Sequence, residues 1–199
     1  MIGLGTFGRI RGWLRAVRAL GGDTSGAVLA EFAMGFPLLV TMIIGGVEIG
    51  RFVLVEQKME SVAVETADLV AEINTGSVTT AELNDVFSAV DHIAAPFTMD
   101  TSGKVIVTAV GKTNGGPITI NWQRAGGGTG SGTSHIGTPG TTPTLPAGFT
   151  VRDGEAVIIS ETFYDYRPLF GGNLTPLVAT TLYNIAYFRP RFGTLATLN

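Results

Sequence analysis

A long apolar run lies between Glu31 and Glu48, where sixteen consecutive residues carry no charge. Extended to residues 27–50, the segment has about 24 residues, and a helix needs about 20 to cross the hydrocarbon core of a membrane. Its apolar side chains surround the helix instead of forming one stripe, which suits lipid better than a globular core. The pattern therefore predicts one transmembrane helix over residues 27–50.

Beyond Arg51 the pattern changes to apolar residues at intervals of three or four with charges between them, which is typical of an amphipathic helix. No Pro or Gly interrupts it before Gly76, so we expect the membrane helix to continue as a stalk over residues 51–75. The second half of this apolar stripe is expected to pack against the chain's own sheet more than against another subunit, although the two roles are compatible. The stripe consists of Phe52, Val55, Met59, Val62, Leu69, Val70 and Ile73.

Residues 76–199 predict an α+β domain, with the long helix packed on a small antiparallel sheet. Thr79 and Glu82 have the spacing of a capping box, so a short helix is expected to follow as far as about Ile93. Strands are expected at residues 104–110, 118–123, 155–166 and 182–189, the first two forming a hairpin. Between them, residues 125–148 are dense in Gly, Thr, Ser and Pro, and we expect a flexible or exposed loop.

The charges are distributed unevenly around the apolar run, although the net charge is only −3. The first 25 residues contain one acid, Asp23, and four arginines: Arg9, Arg11, Arg15 and Arg18. Acidic residues predominate after the run, from Glu48 to Glu72. An excess of arginine before a span predicts that residues 1–26 are a cytoplasmic leader and that the domain lies outside the cytoplasm. The acidic remainder offers no basic face, so nucleic acid is not expected as a partner.

The candidate catalytic and metal-binding residues are few. The chain has no cysteine and two histidines, His92 and His135, which we interpret as surface residues. The carboxylates Glu155 and Glu161 straddle a predicted strand, where solvated sheet positions are the ordinary explanation. The glycine-rich loop lacks the Lys and the helix of a phosphate-binding loop. We therefore expect no enzyme, no cofactor, no metal site and no small-molecule substrate.

The residues around Gly26 have the layout of a processing signal. A basic leader and a glycine precede an apolar helix that has an acid, Glu31, at its fifth position and an aromatic residue, Phe32, at its sixth. This layout resembles a type IV prepilin signal. With Pro37 and the string AEFAMGFPLL, residues 26–71 resemble the TadE/TadG-like family of minor pseudopilins from Tad (Flp-type) pilus systems. EAVIISETFYDYRPLF and AYFRPR are also similar to family patterns, namely Tyr-x-Tyr-x-Pro-Leu and a closing Arg-Pro-Arg.

The resemblance implies a protein of the bacterial inner membrane with its domain in the periplasm. It implies processing by a prepilin peptidase, with Gly26 and Ala27 flanking the scissile bond, and a role in pilus assembly, adherence and biofilm formation. Other pilins, pseudopilins and the Tad assembly machinery would be its partners. Mature Flp-type pilins are very short, so a chain with a domain of this size is more naturally a tip, priming or assembly component than the major subunit.

Glu31 is the one ionisable residue for which a solvated surface is a poor explanation, because a carboxylate within an apolar helix is costly in lipid. It is expected either to extend to the headgroups or to pair with a positive group. After cleavage, that group would be the α-amine of Ala27 or of a neighbouring subunit. Opposite charges attract strongly at low dielectric, so such a pair would set the register of one helix against another.

Two further classes of protein stay open. The helix would serve merely as a tether in an uncleaved, single-pass periplasmic binding or interaction module of an envelope secretion complex. A membrane-anchored enzyme would require a cluster of perturbed ionisable groups in a cleft. A secretory signal peptide cleaved after the apolar run is disfavoured by the long basic region, by Glu31 and by the lack of a small-x-small site before Arg51.

Overall fold

The computed structural model describes residues 25–74, 76–170 and 178–199, so most of the predicted leader lies outside the described residues. The described chain forms an α+β fold, as predicted. Its helices are α1 (Ser25–Ala71) and α2 (Thr80–Ala94), and its strands are β1 (Gly103–Lys112), β2 (Ile118–Gly126), β3 (Ala156–Tyr166) and β4 (Thr180–Phe188). The chain divides into two compact units, Met1–Gly46 and Val47–Asn199.

In the first unit, the described residues belong to α1, whose apolar side chains are exposed all round the helix. The large exposed residues are Val28, Leu29, Phe32, Met34, Phe36, Leu38, Leu39, Met42 and Ile43. Helix α1 is long and apolar enough to cross a membrane, and within the described part of the chain it alone meets that test. Exposed apolar surface of this kind is stable in lipid and not in water, so α1 fits a single-pass membrane anchor.

In the second unit, four antiparallel strands form one sheet in the order β2-β1-β3-β4. The predicted hairpin is confirmed as β1–β2, with a register shift between Ala109 and Val110. The helix α2 begins as predicted, because the Thr79 hydroxyl accepts from the Glu82 amide while the Glu82 carboxylate accepts from the Thr79 amide. This reciprocal pair satisfies two amide donors at the helix start.

One face of the sheet packs against both helices and carries the larger core cluster. From α1 this cluster takes Val55, Met59, Val62 and Val70, and from α2 it takes Leu83, Phe87, Val90 and Ala94. The prediction that the second half of the α1 stripe packs against the chain's own sheet is confirmed for Val62 and Val70, whereas Leu69 is 39% exposed. Small residues bring α1 close to β4, since Ala63 and Ala67 pack with Ala186.

The other face of the sheet is covered by the glycine-rich segment that follows β2. Ile136, only 2% exposed, belongs to a second core cluster with Ile120, Val157 and Ile159. Backbone hydrogen bonds fasten the segment, because Ile120 N donates to Thr141 O at 3.0 Å and Gly140 N donates to Ile120 O at 2.8 Å. The expectation of an exposed loop at 125–148 is therefore wrong for its centre. Its few apolar residues lie at the positions that meet the sheet, while its flexibility stays a prediction.

Candidate functional site

The predicted processing motif lies at the N-terminal end of α1. Gly26 and Ala27 are in the first turn and exposed, and a Cβ added to Gly26 would meet no atom within 4 Å. The Glu31 side chain and the Phe32 ring are exposed as well, and the Phe32 ring lies 5.3 Å from the ring of Phe36. The motif residues thus share one helical segment, and whether the Gly26–Ala27 bond is cut stays a prediction.

Pro37 lies inside α1, and the helix continues through it without a break. Proline lacks the amide that an interior helical position normally donates. The Thr41 hydroxyl donates to the Pro37 carbonyl at 2.8 Å, one turn further along. Gly35, Gly45 and Gly46 also lie in α1, and a Cβ added at any of them would meet nothing within 4 Å.

A second site surrounds Glu48, the acid that directly follows the apolar run. Its side chain is fully buried. The Tyr166 hydroxyl donates to the carboxylate, and so do the amides of Leu169, at 3.0 and 3.2 Å from its two oxygens, and of Phe170, at 3.3 Å. A buried carboxylate is tolerated only when donors of this kind replace its water. We call this cluster the Glu48 junction.

Arg51, one turn after Glu48, closes the Glu48 junction on its charged side. Its Nη1 donates to the Arg167 carbonyl at 2.9 Å and lies 3.9 Å from the Glu48 carboxylate. The guanidinium also lies over the Tyr166 ring, 5.2 Å from its centroid, and 5.9 Å from that of Phe97. Arg51 therefore binds the end of β3 through one hydrogen bond and one cation–π contact, while its ion pair is with Glu48 of its own helix.

Burial and the hydrogen bond to Glu48 raise the pKa of Tyr166 above its ordinary value, although the nearby Arg51 opposes the rise. The phenol thus stays protonated at physiological pH, and its proton remains available for the Glu48 carboxylate. The Glu48 junction joins α1 to the end of β3, which are more than a hundred residues apart in the chain.

Sequence reasoning missed this role of Glu48, which it counted among the acids that follow the span. The usable signal was the pattern Tyr-x-Tyr-x-Pro-Leu, which here is Tyr164 to Leu169. The second tyrosine of the pattern supplies the hydroxyl, and its leucine supplies an amide. The motif therefore binds the helix through one side chain and the backbone.

The closing Arg-Pro-Arg pattern, residues 189–191, binds the C-terminal end of α1. The Arg191 guanidinium lies 2.5 Å from Asp68 and 3.3 Å from Glu72, and its amide donates to the Ala71 carbonyl at 2.9 Å. A cation near the last carbonyls of a helix is favoured by the helix dipole. Arg189, the first arginine of the pattern, pairs with Glu155 at 3.3 Å.

A third polar cluster lies under the glycine-rich segment and overturns the solvated interpretation of Glu161. Its carboxylate is fully buried and accepts from the Ser134 hydroxyl, from the His135 amide at 2.8 Å and from the Tyr183 hydroxyl at 3.1 Å. The segment 131–136 covers this face of β3, so Glu161 is an interior residue although its strand pattern predicts a solvated position. His135 is exposed, as predicted, although its ring centroid lies 4.3 Å from that of Tyr183.

These three clusters hold the domain together by satisfying carboxylates. Glu48 and Glu161, the buried acids of these clusters, each bind hydroxyl and amide donors, which fix the geometry of the carboxylate. In the residues that the structure describes, no group of three His, Cys, Asp or Glu side chains is placed to hold a metal ion. The Glu48 and Arg191 clusters attach the C-terminal part of the domain to α1, and the Glu161 cluster attaches the glycine-rich segment to the sheet.

Comparison with known proteins agrees with the residues around α1. Residues 26–68 match the family model of TadE-like protein. No curated protein and no solved structure matches the chain significantly. The matched segment begins at Gly26 and covers most of α1, from the processing motif through the Glu48 junction to Asp68. Residues 26–68 are therefore a TadE-like segment, and this segment indicates involvement in Tad pilus assembly.

Proposed function

We propose that this protein is a minor pseudopilin that acts in assembly or priming of a Tad pilus, for adherence and biofilm formation. The observation that carries the proposal is the TadE-like segment, which starts at Gly26 and coincides with the unbroken helix Ser25–Ala71. One helix thus contains the candidate peptidase site, the apolar span and part of the core of a folded domain. We place the domain in the periplasm and the span in the inner membrane, on the basis of the arginine-rich leader.

The Glu48 junction favours this proposal over an anchored binding module. A tether needs no particular contact with its domain, and a flexible linker would suffice. In this protein, α1 contributes Val55, Met59 and Val62 to the core, and Glu48 binds the end of β3. A force or displacement applied to α1 would therefore reach the sheet directly, which suits a component of a helical assembly.

The proposed partners follow from the same features. Prepilin peptidase would recognise the Gly26–Ala27 bond, and pilins, pseudopilins and the Tad machinery would meet the apolar helix. A domain in this size range suits a tip, priming or assembly component better than the repeating subunit of a thin filament. We propose that the protein acts by association and not by catalysis, because its buried carboxylates are bound by structural donors.

The test is the N-terminal residue of the protein purified from membranes, with and without the cell's prepilin peptidase. A chain that begins at Ala27 only when the peptidase is present would support the proposal. The variant Gly26→Val should stay unprocessed, because a branched side chain there would obstruct the peptidase. Gly35→Val is the matched control, since it alters a glycine of the same helix that also has open space around it.

The opposite result has a definite meaning. An N-terminus upstream of Gly26 in both strains would remove the processing claim. The protein would then be better described as an uncleaved, single-pass interaction module of an envelope secretion complex. A chain cut at another position would likewise reject Gly26 and Ala27 as the processing residues.

A further inference from the structure

The chain contains one Asn–Gly pair, Asn114–Gly115, and one Asp–Gly pair, Asp153–Gly154. Each pair lies in a turn: the first turn joins β1 to β2, and the second precedes β3. Both glycines have a left-handed φ, +72° at Gly115 and +78° at Gly154, which a residue with a Cβ adopts only with strain. The turns are in contact, because Asn114 Oδ1 lies 3.2 Å from the position of a Cβ added to Gly154. We name residues 113–116 and 152–155 the paired turns.

Asn–Gly is a chemically labile sequence, because glycine leaves the side-chain carbonyl carbon of the asparagine open to attack. The glycine nitrogen loses its proton and bonds to that carbon, the bond to the side-chain nitrogen breaks, and ammonia leaves a five-membered imide. Water then opens the imide at either carbonyl and yields aspartate or isoaspartate. Asn114 and Gly115 are both exposed, so the local sequence predicts deamidation of Asn114.

The fold binds the amide that would make this attack. The Gly115 N–H donates to Asp153 Oδ2 at 3.3 Å, and the next amide, that of Gly116, donates to the Thr113 carbonyl at 2.9 Å and closes the turn. Loss of the Gly115 proton would break the bond to Asp153 and would place a negative nitrogen beside a carboxylate. A like charge nearby disfavours the ionised form of a group. Asp153 therefore opposes the first step of deamidation.

Lys112, the last residue of β1, keeps the Asp153 carboxylate in place and charged. Its Nζ lies 2.6 Å from Asp153 Oδ1, and its carbonyl accepts from the Gly154 amide at 2.8 Å. The hydrogen bond from Lys112, followed by that from Gly115, lowers the pKa of Asp153 below its ordinary value. The Gly154 nitrogen, which would attack the carboxyl of Asp153 in the Asp–Gly pair, is thus bound as well.

We propose that Asn114 is a deamidation site that the paired turns restrain, with Asp153 as the residue that holds the attacking amide of Gly115. Conversion to isoaspartate would add one methylene to the backbone of the turn between β1 and β2, and either product would add a carboxylate next to the second turn. The restraint therefore preserves the β1–β2 hairpin, whose register begins at the pair Lys112–Ile118 beside the turn. The proposal concerns the unit Val47–Asn199 alone and is independent of processing at Gly26.

The test measures conversion of Asn114 in the full chain in detergent micelles, by mass spectrometry of its peptides during incubation at mildly alkaline pH. The same chain unfolded in guanidinium chloride gives the unrestrained rate. We expect the native rate to be severalfold lower than this reference, and Asp153→Ala to raise the native rate severalfold towards it. Lys112→Met should raise the rate less, because Asp153 then keeps its contact with Gly115 and loses its cation. Asp85→Ala, at an exposed acid of α2, is the matched control and should leave the rate unchanged.

Equal rates in the native and the unfolded chain would overturn the proposal, because the fold would then provide no restraint. An unchanged rate in Asp153→Ala would overturn it as well, since the restraint would have another source. A lower rate in that variant would reverse the role of Asp153, which would then take the Gly115 proton and promote the reaction. Cooperative unfolding of each variant by denaturant verifies that the substitution leaves the domain folded, so that a raised rate reports the lost contact with Gly115 and not general unfolding.

Discussion

The Tyr166 hydroxyl donates a hydrogen bond to the fully buried carboxylate of Glu48, across a separation of 118 residues. It joins the end of β3 to the position where the apolar run of α1 ends. Together with the amides of Leu169 and Phe170, it converts a potentially costly buried charge into a structural attachment. The attachment gives the tyrosine of the C-terminal pattern a structural role beside the TadE-like segment of α1.

Removal of the Tyr166 hydroxyl should destabilise the domain. In Tyr166→Phe the Glu48 carboxylate loses one donor while staying buried, and a hydrogen bond to a charged group contributes about 1.5–3 kcal/mol. We expect a loss of that size in the free energy of unfolding, measured by denaturant titration of the full chain in detergent micelles.

The matched control for this substitution is Tyr187→Phe. The Tyr187 hydroxyl has no hydrogen-bond partner in the part of the chain that the structure describes. Its removal should change the free energy of unfolding by about 0.5 kcal/mol or less. Equal effects of the two substitutions would contradict a special role of the Tyr166–Glu48 bond.

The contribution of Asp165 should depend on pH. The Ser131 hydroxyl, followed by the Thr181 hydroxyl and the Ser131 amide, lowers the pKa of Asp165 below its ordinary value of 3.8. A carboxyl whose pKa is lower in the folded chain stabilises the fold fully above the unfolded pKa and loses that contribution as pH falls through the folded value. We therefore expect native protein and Asp165→Asn to differ in stability by a constant amount at neutral pH and to converge below about pH 3.8.

Denaturant titration of both proteins between neutral pH and pH 3 would measure this convergence. Asp85→Asn, on the exposed surface of α2, controls for the loss of one acidic group. A difference between native protein and Asp165→Asn that stays constant down to the lowest pH would contradict the prediction.

Packing of the glycine-rich segment should depend on Ile136. This side chain is 2% exposed and belongs to the core cluster between the sheet and the glycine-rich segment. Substitution of a buried isoleucine by alanine typically costs about 2–5 kcal/mol. In Ile136→Ala we expect faster amide hydrogen exchange in residues 131–144, where Ile136 O accepts from Thr144 N at 2.8 Å.

Thr133→Ala, at an exposed position of the same segment, should leave amide exchange nearly unchanged. If Ile136→Ala also left the exchange unchanged, the segment would be held by its polar contacts with Glu161 instead. Glu161→Ala would then be the variant that releases it.

Glu31→Gln should separate processing from assembly. The substitution keeps the shape of the side chain and removes the charge proposed to pair with the α-amine of Ala27. We expect the mature N-terminus to form normally while recovery of the protein with sheared surface pili falls, because an ion pair that sets helix register would be lost. Glu60→Gln, at an exposed position further along α1, should change neither quantity.

Local patterns in the sequence determined the elements of this fold. The apolar run predicts α1, the spacing of Thr79 and Glu82 predicts the start of α2, and the strand patterns at residues 104–110 and 118–123 predict the hairpin. Each depends on residues within a few positions of one another, where helical and strand periodicity or capping chemistry is decisive. The expected strand ends differ from the observed ones by up to three residues, as in β2, which ends at Gly126.

Only the tertiary structure decided which acids are buried. Glu48 resembles the other acids after the span, and Glu161 resembles an exposed strand residue, yet both are fully buried. Their partners, Tyr166 and the segment around Ser134, lie 118 and 27 residues away along the chain. Burial of a charge depends on donors that the whole fold brings to it, and no local pattern specifies those donors.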